Sequence, residues 1–169
     1  MSTKDRALDP QPHLPVDDGY PDYGHRFAVI YAEWNQEITH ALRDGCVTTL
    51  TRQKVHSNRI KLVPVPGSFE LSCAAAEFAS RKEIDAVICL GCVIQGETRH
   101  FDFICQAVAN GLTEVGIRYR KPVIFGVLTT NTKEQALARA GGELGNKGSE
   151  AAEAALLMIE ALKTSSFGR

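Results

Sequence analysis

Four short apolar runs, Phe27 to Ala32, Ile60 to Val65, Ala86 to Ile94 and Val123 to Thr129, are separated by segments with a different period. Each run is continuous rather than alternating, the pattern of a strand covered on both faces, as in a parallel sheet. Between them, Ile38, Leu42, Cys46 and Leu50, and later Phe101, Ile104, Val108, Leu112 and Val115, recur at helical spacing and form one apolar side. The order is βαβαβαβ, then helix. After the fourth strand, Thr132 with Gln135 makes a capping-box pattern for a short helix that Gly141 and Gly142 would end, and a last helix is predicted over about Ser149 to Lys163. Right-handed crossovers then give an α/β fold, a three-layer α/β/α sandwich on a four-stranded parallel sheet, with no internal repeat.

Residues 1–25 break the pattern. Pro10, Pro12, Pro15 and Pro21 with Gly19 and Gly24 resist helix and cannot form a core strand, so this stretch is predicted to be an N-terminal arm, flexible or laid over a neighbour. The remaining 26–169 form a single domain, since 169 residues with 44% hydrophobic content bury one core. Nineteen basic against twenty acidic side chains give no general electrostatic reason to bind nucleic acid or an anionic membrane. Any phosphate must be held by a local site. No apolar run reaches the roughly 18 residues of a membrane span, and the early Asp5, Asp9, Asp17 and Asp18 fit a transit peptide poorly, so a cytoplasmic protein is expected. The five cysteines are odd in number and mostly apolar in setting, as reduced buried thiols are. Cys89 and Cys92 form a CxxC, but residues three apart in a strand face opposite ways, which argues against a metal or redox pair.

Ligands of open parallel sheets bind outside the carboxyl ends of the strands. There the sequence places Glu33-Trp34-Asn35, Pro66-Gly67-Ser68-Phe69-Glu70, Gln95-Gly96-Glu97-Thr98-Arg99-His100 and Thr129-Thr130-Asn131. Trp34 either stacks on a planar ring or caps the sheet edge, and its local sequence favours neither. Ser68 and Glu70 could serve ligand oxygens and hydroxyls, but taken alone this loop reads as an ordinary helix start with Ser68 as N-cap and an acid in the first turn. Gly96-Glu97-Thr98 at the mouth of another helix fits an anion nest, and His100 beside it has a side chain suited to proton transfer near neutrality. His13, His25, His40 and His56 lack such surroundings. Arg139 and Lys147 are either phosphate-holding cations or solvated helix charges. No GxGxxG follows the first strand, and neither a P-loop nor a GxSxG elbow is present. The residues alone therefore describe an α/β domain for a planar polar ring and a phosphate, with one histidine for proton transfer.

Val65-Pro66-Gly67-Ser68-Phe69-Glu70, Gly91 to Asp102, Pro122 to Thr129, and Arg139-Ala140-Gly141-Gly142 with Gly145-Asn146-Lys147-Gly148 resemble the four conserved blocks of the lumazine synthase family, in family order and spacing. The resemblance runs from Phe27 to about Lys163. It implies a flavodoxin-like sandwich and a cofactor-free, metal-free condensation of 5-amino-6-(D-ribitylamino)uracil with 3,4-dihydroxy-2-butanone 4-phosphate, the penultimate step of riboflavin biosynthesis. By the same resemblance Trp34, Asn35, Ser68, Phe69, Glu70, Cys92, Val93, Ile94, Phe125 and Lys147 contact the ribitylaminouracil. Glu97, Thr98 and Arg139 hold the butanone phosphate, and His100 is catalytic. It further implies sites between subunits of a homo-oligomer, a pentamer or a 60-mer of twelve pentamers. The arm then adds a strand to a neighbouring subunit, and association with riboflavin synthase is allowed for. The uninterrupted turn from Gly141 to Lys147 leans towards the shell. Gln95, where many members have Arg, and the long proline-rich arm depart from the family pattern. A non-catalytic flavin- or lumazine-binding relative and a purely shell-forming one are the alternatives. Retention of His100 and Arg139 speaks against the first, and retention of Glu97, Thr98 and Arg139 against the second.

Overall fold

The computed structural model of the protein describes residues 24–164. The arm reading therefore lies outside the described residues except at Gly24 and His25, as does the added strand.

The chain runs β1 (Phe27–Ala32), α1 (Gln36–Arg52), β2 (Ile60–Val65), α2 (Leu71–Ser80), β3 (Ala86–Ile94), α3 (His100–Tyr119), β4 (Val123–Thr130), α4 (Lys133–Ala138), β5 (Ala140–Gly142), β6 (Gly145–Asn146) and α5 (Lys147–Thr164). The four long strands form one parallel sheet in the order β2-β1-β3-β4. β1 and β3 are central, which is why their runs are apolar on both faces. Phe27, Val29 and Tyr31 pack with α1 and α5, while Ala28 and Ile30 pack with α2 and α3. Each fully buried large side chain there contributes roughly 1.5–3 kcal/mol. The three-layer, flavodoxin-like sandwich follows from that two-sided burial.

Two expectations need correction. β2 is not covered on both faces: it is an edge strand, with Lys61, Leu62 and Pro64 exposed. Pro64 has no N–H to donate and is tolerated at an edge for that reason. Thr132 and Gln135 make only half of a capping box, because Thr132 Oγ1 accepts the Gln135 N–H at 3.3 Å while Gln135 Oε1 turns to the Asn131 N–H at 2.9 Å. α4 ends at Ala138, and the glycine pair opens the small antiparallel β5–β6 hairpin instead, with Gly141 at φ +104°.

That hairpin delivers Asn146, whose Oδ1 accepts the N–H groups of Gly148 and Ser149 at 2.8 and 3.2 Å while its Nδ2 donates to the Ala41 carbonyl at 3.0 Å. One side chain thus caps α5, starting it before the predicted Ser149, and ties it to α1. The two helices touch backbone to backbone: a Cβ on Gly148 would lie 1.8 Å from the Leu42 carbonyl oxygen.

Cys89 faces the α2–α3 layer and Cys92 the α1–α5 layer, as the alternation of a strand requires. Burial pushes the thiols up, Cys46 to about 12 and Cys92 to about 11 from an ordinary 9.0, with Cys89 displaced in the same direction. A raised folded-state value stabilises the fold below the unfolded value and is lost as pH climbs towards the folded one. Stability measured by urea titration is therefore expected to fall as pH rises from 9 towards 12, with Cys46 and Cys92 contributing. In the native state a thiol reagent should label exposed Cys73 first. Equal labelling of Cys46 and Cys73 at pH 8 would contradict this burial.

Candidate active site at the carboxyl ends of the central strands

The chain leaves β1 for β2 on one side and returns for β3 on the other, so the connections diverge at the carboxyl ends of β1 and β3. A crevice opens at that point. Three loops meet around it.

The first, Glu33-Trp34-Asn35, is zipped to the second by the Glu33 N–H on the Val65 carbonyl at 2.8 Å and the Trp34 N–H on the Pro66 carbonyl at 3.1 Å. Asn35 sits at φ +60°, a left-handed conformation that asparagine tolerates. Its Nδ2 donates across the switch point to the Cys92 carbonyl at 3.2 Å. Trp34 is 73% exposed, and its ring lies over Gly67, 3.7 Å from where a Cβ would stand. The indole thus presents a face at the carboxyl ends of the strands.

In the second loop, Ser68–Glu70 forms a single 3₁₀ turn ahead of α2, and Glu70 Oε2 accepts the Gly67 N–H at 2.9 Å. Ser68 is buried, and its Oγ has no hydrogen-bond partner among the described residues. A buried hydroxyl left so costs roughly 1–3 kcal/mol. Gly91 makes its position sterically allowed, since a Cβ there would be 2.6 Å from Ser68 Oγ. Phe69 projects outward, 56% exposed.

The third loop begins where the Gln95 N–H donates to the Thr130 carbonyl at 2.8 Å, and Gln95 Nε2 folds back on the Gly96 carbonyl at 2.8 Å. Gly96, Glu97, Thr98 and His100 are exposed, and Thr98 Oγ1 accepts the His100 N–H at 3.4 Å at the start of α3. Nothing lies within 4 Å of a Cβ built on Gly96. Cys92 turns its thiol into the core, so it can meet a ligand only through its main chain, alongside half-buried Val93 and Ile94.

Phe125, Arg139 and Lys147 are not gathered into this cluster. Phe125, 41% exposed on edge strand β4, pairs with Cys89, five residues before Thr130 and so about 16 Å short of the sheet's carboxyl end. Arg139 follows α4, where its Nη1 donates to the Gln135 carbonyl at 3.3 Å, and Lys147 begins α5 paired with Glu150. α4 and α5 belong to the layer of α1, on the other face of the sheet from α2 and α3, whose starts carry Ser68–Glu70 and His100. Sequence reasoning set His40 aside, yet its Nε2 lies 3.4 Å from Glu33 Oε2 at this end of the sheet.

Residues 24–163 match the family model described as 6,7-dimethyl-8-ribityllumazine synthase. The chain belongs to the 6,7-dimethyl-8-ribityllumazine synthase family. A relative of that name from Cytophaga hutchinsonii is 59% identical over 133 residues, covering 79% of this chain and 84% of the relative. Others from Coxiella burnetii and Bacteroides fragilis are 46% and 47% identical over 138 and 135 residues, covering 82% and 80% of this chain and 91% and 94% of theirs. The non-catalytic alternative loses its footing against relatives that are all named as synthases of the lumazine. Among the described residues no helix is long and apolar enough to cross a membrane.

Proposed function

We propose that the protein condenses 5-amino-6-(D-ribitylamino)uracil with 3,4-dihydroxy-2-butanone 4-phosphate to 6,7-dimethyl-8-ribityllumazine, phosphate and two waters, acting as a homo-oligomer in the cytoplasm. The observation that carries this reading is the Trp34 face beside the buried, unpartnered Ser68 hydroxyl and the open Gly96-Glu97-Thr98 loop, in a chain of this family. Trp34 stacks on the pyrimidine, Ser68 and the free oxygen of Glu70 take ring and ribityl hydrogen bonds, and Phe69 and the main chain of Cys92, Val93 and Ile94 flank the ring. Asn35 acts chiefly by holding the crevice together through Cys92.

The 5-amino group attacks the ketone, and one water leaves as an imine forms. Loss of a proton expels phosphate into the nest of Glu97 and Thr98, tautomerisation follows, and the ribitylamino nitrogen closes the ring with loss of the second water. His100 carries the protons, a contribution of typically 10²- to 10⁴-fold. Alignment of the two substrates contributes up to about 7–11 kcal/mol. Phe125, Arg139 and Lys147 serve a neighbouring copy's site, which accounts for their separation from His100 within one chain.

The test is direct: purified protein with both substrates should form the fluorescent lumazine well above a protein-free control. Binding without turnover would discard the catalytic role of His100 and leave a lumazine-binding relative.

A further inference from the structure

Trp34 is flanked by two anchors, only one of which the motif Trp34-Asn35 explains. Asn35 binds the β3 carbonyl on one side. On the other, the Glu33 carboxylate reaches back to α1: Gln36 Nε2 donates to Glu33 Oε2 at 2.8 Å, and His40 Nε2 stands 3.4 Å from the same oxygen. His40 Nε2 is shut off from solvent and makes no hydrogen bond of good geometry, so the ring packs closely against the carboxylate without a directed bond to it. The imidazole is itself fixed edge-on to Tyr31, with centroids 5.6 Å apart and planes at 80°, and Arg43 covers the Tyr31 ring at 5.1 Å. The residue preceding the stacking indole is thereby locked to a helix face through a chain of contacts that ends in the core.

Resting on the function proposed above, we propose that Glu33 and His40 are positioning residues that hold the Trp34 ring ready for the pyrimidine. Neither needs to touch substrate. Their removal leaves only the main-chain bonds to Val65 and Pro66 on that side, so the ring samples orientations that cannot stack, and apparent affinity falls while the chemical step is preserved.

Trp34 is the only tryptophan of the chain, so its fluorescence reports this loop alone. In Glu33→Ala we expect lower Trp anisotropy and a roughly tenfold higher KM for the ribitylaminouracil, with kcat and the KM for the butanone phosphate within about twofold of the native values. Glu33→Gln keeps an acceptor for Gln36 and should recover most of both losses, while His40→Gln should shift both in the same direction as Glu33→Ala but less. Native anisotropy in both Glu33→Ala and His40→Gln would overturn the proposal. So would a fall in kcat with anisotropy unchanged, which would make Glu33 part of the chemistry. Because anisotropy needs no substrate, a native chain that made no lumazine would sink the proposed function while this measurement still decided whether the pair holds Trp34.

Discussion

Gly148→Ala is expected to lower the urea midpoint of unfolding by an amount equivalent to about 3 kcal/mol or more. A Cβ at this position would come within 1.8 Å of the Leu42 carbonyl oxygen, 2.6 Å of its carbon and 2.9 Å of its Cα. Those are backbone atoms of α1 and cannot rotate away as a flexible side chain would. Overpacking of a well-packed core typically costs 1–3 kcal/mol, and here relief requires separating two helices that share the cluster of Leu42, Cys46, Ala152 and Ala155. The same separation would pull Asn146 off the Ala41 carbonyl. Gly145 offers the internal comparison: nothing lies within 4 Å of a Cβ there, so its substitution is penalised only by its φ of +82° and should cost about 1–2 kcal/mol. A Gly148→Ala variant unfolding at the native urea concentration would show that α1 and α5 can part freely and would remove this account of the Gly-Asn-Lys-Gly segment.

That segment shows how far the sequence could be read. The apolar runs gave the strands because β1 and β3 are buried on both faces, and the periodic segments gave α1 and α3 because one side of each meets the sheet. β2 misled because Ile60, Leu62, Val63 and Val65 are apolar although the strand lies at an edge, and only Lys61 and Pro64 carried the contrary signal. The loops at the carboxyl ends were legible because strand order alone puts Trp34, Ser68 and Gln95–His100 near one crevice. What Asn146 and Gly148 do was not, since capping α5 and letting α1 approach are relations between segments some hundred residues apart. The contact of Glu33 with His40 was hidden differently: α1 has to pack before its second turn returns to the loop that precedes it. Family resemblance assigned Arg139 and Lys147 to the site, whereas the structure places them after α4 and at the start of α5, in the layer of α1, with their side chains on Gln135 and Glu150.

If sites are shared between copies, two impaired variants should partly restore each other. His100→Ala alone is expected to slow lumazine formation by roughly 10²- to 10⁴-fold without reaching the uncatalysed rate, because substrate alignment survives. Arg139→Ala should raise the KM for the butanone phosphate by roughly ten- to a hundredfold, the loss of a charge-assisted contact worth about 1.5–3 kcal/mol. Refolded together in equal amounts, the chains assemble at random, and about a quarter of the interfaces pair an intact His100 from one copy with an intact Arg139 from the next. Activity at low butanone phosphate should then rise to about a quarter of the native value, far above the mean of the separate variants. Simple averaging would mean that His100 and Arg139 act within one chain. In that case the side chain of Arg139, which follows α4 in the layer of α1, would have to reach His100 at the start of α3 around the carboxyl edge of the sheet and leave the Gln135 carbonyl it now contacts.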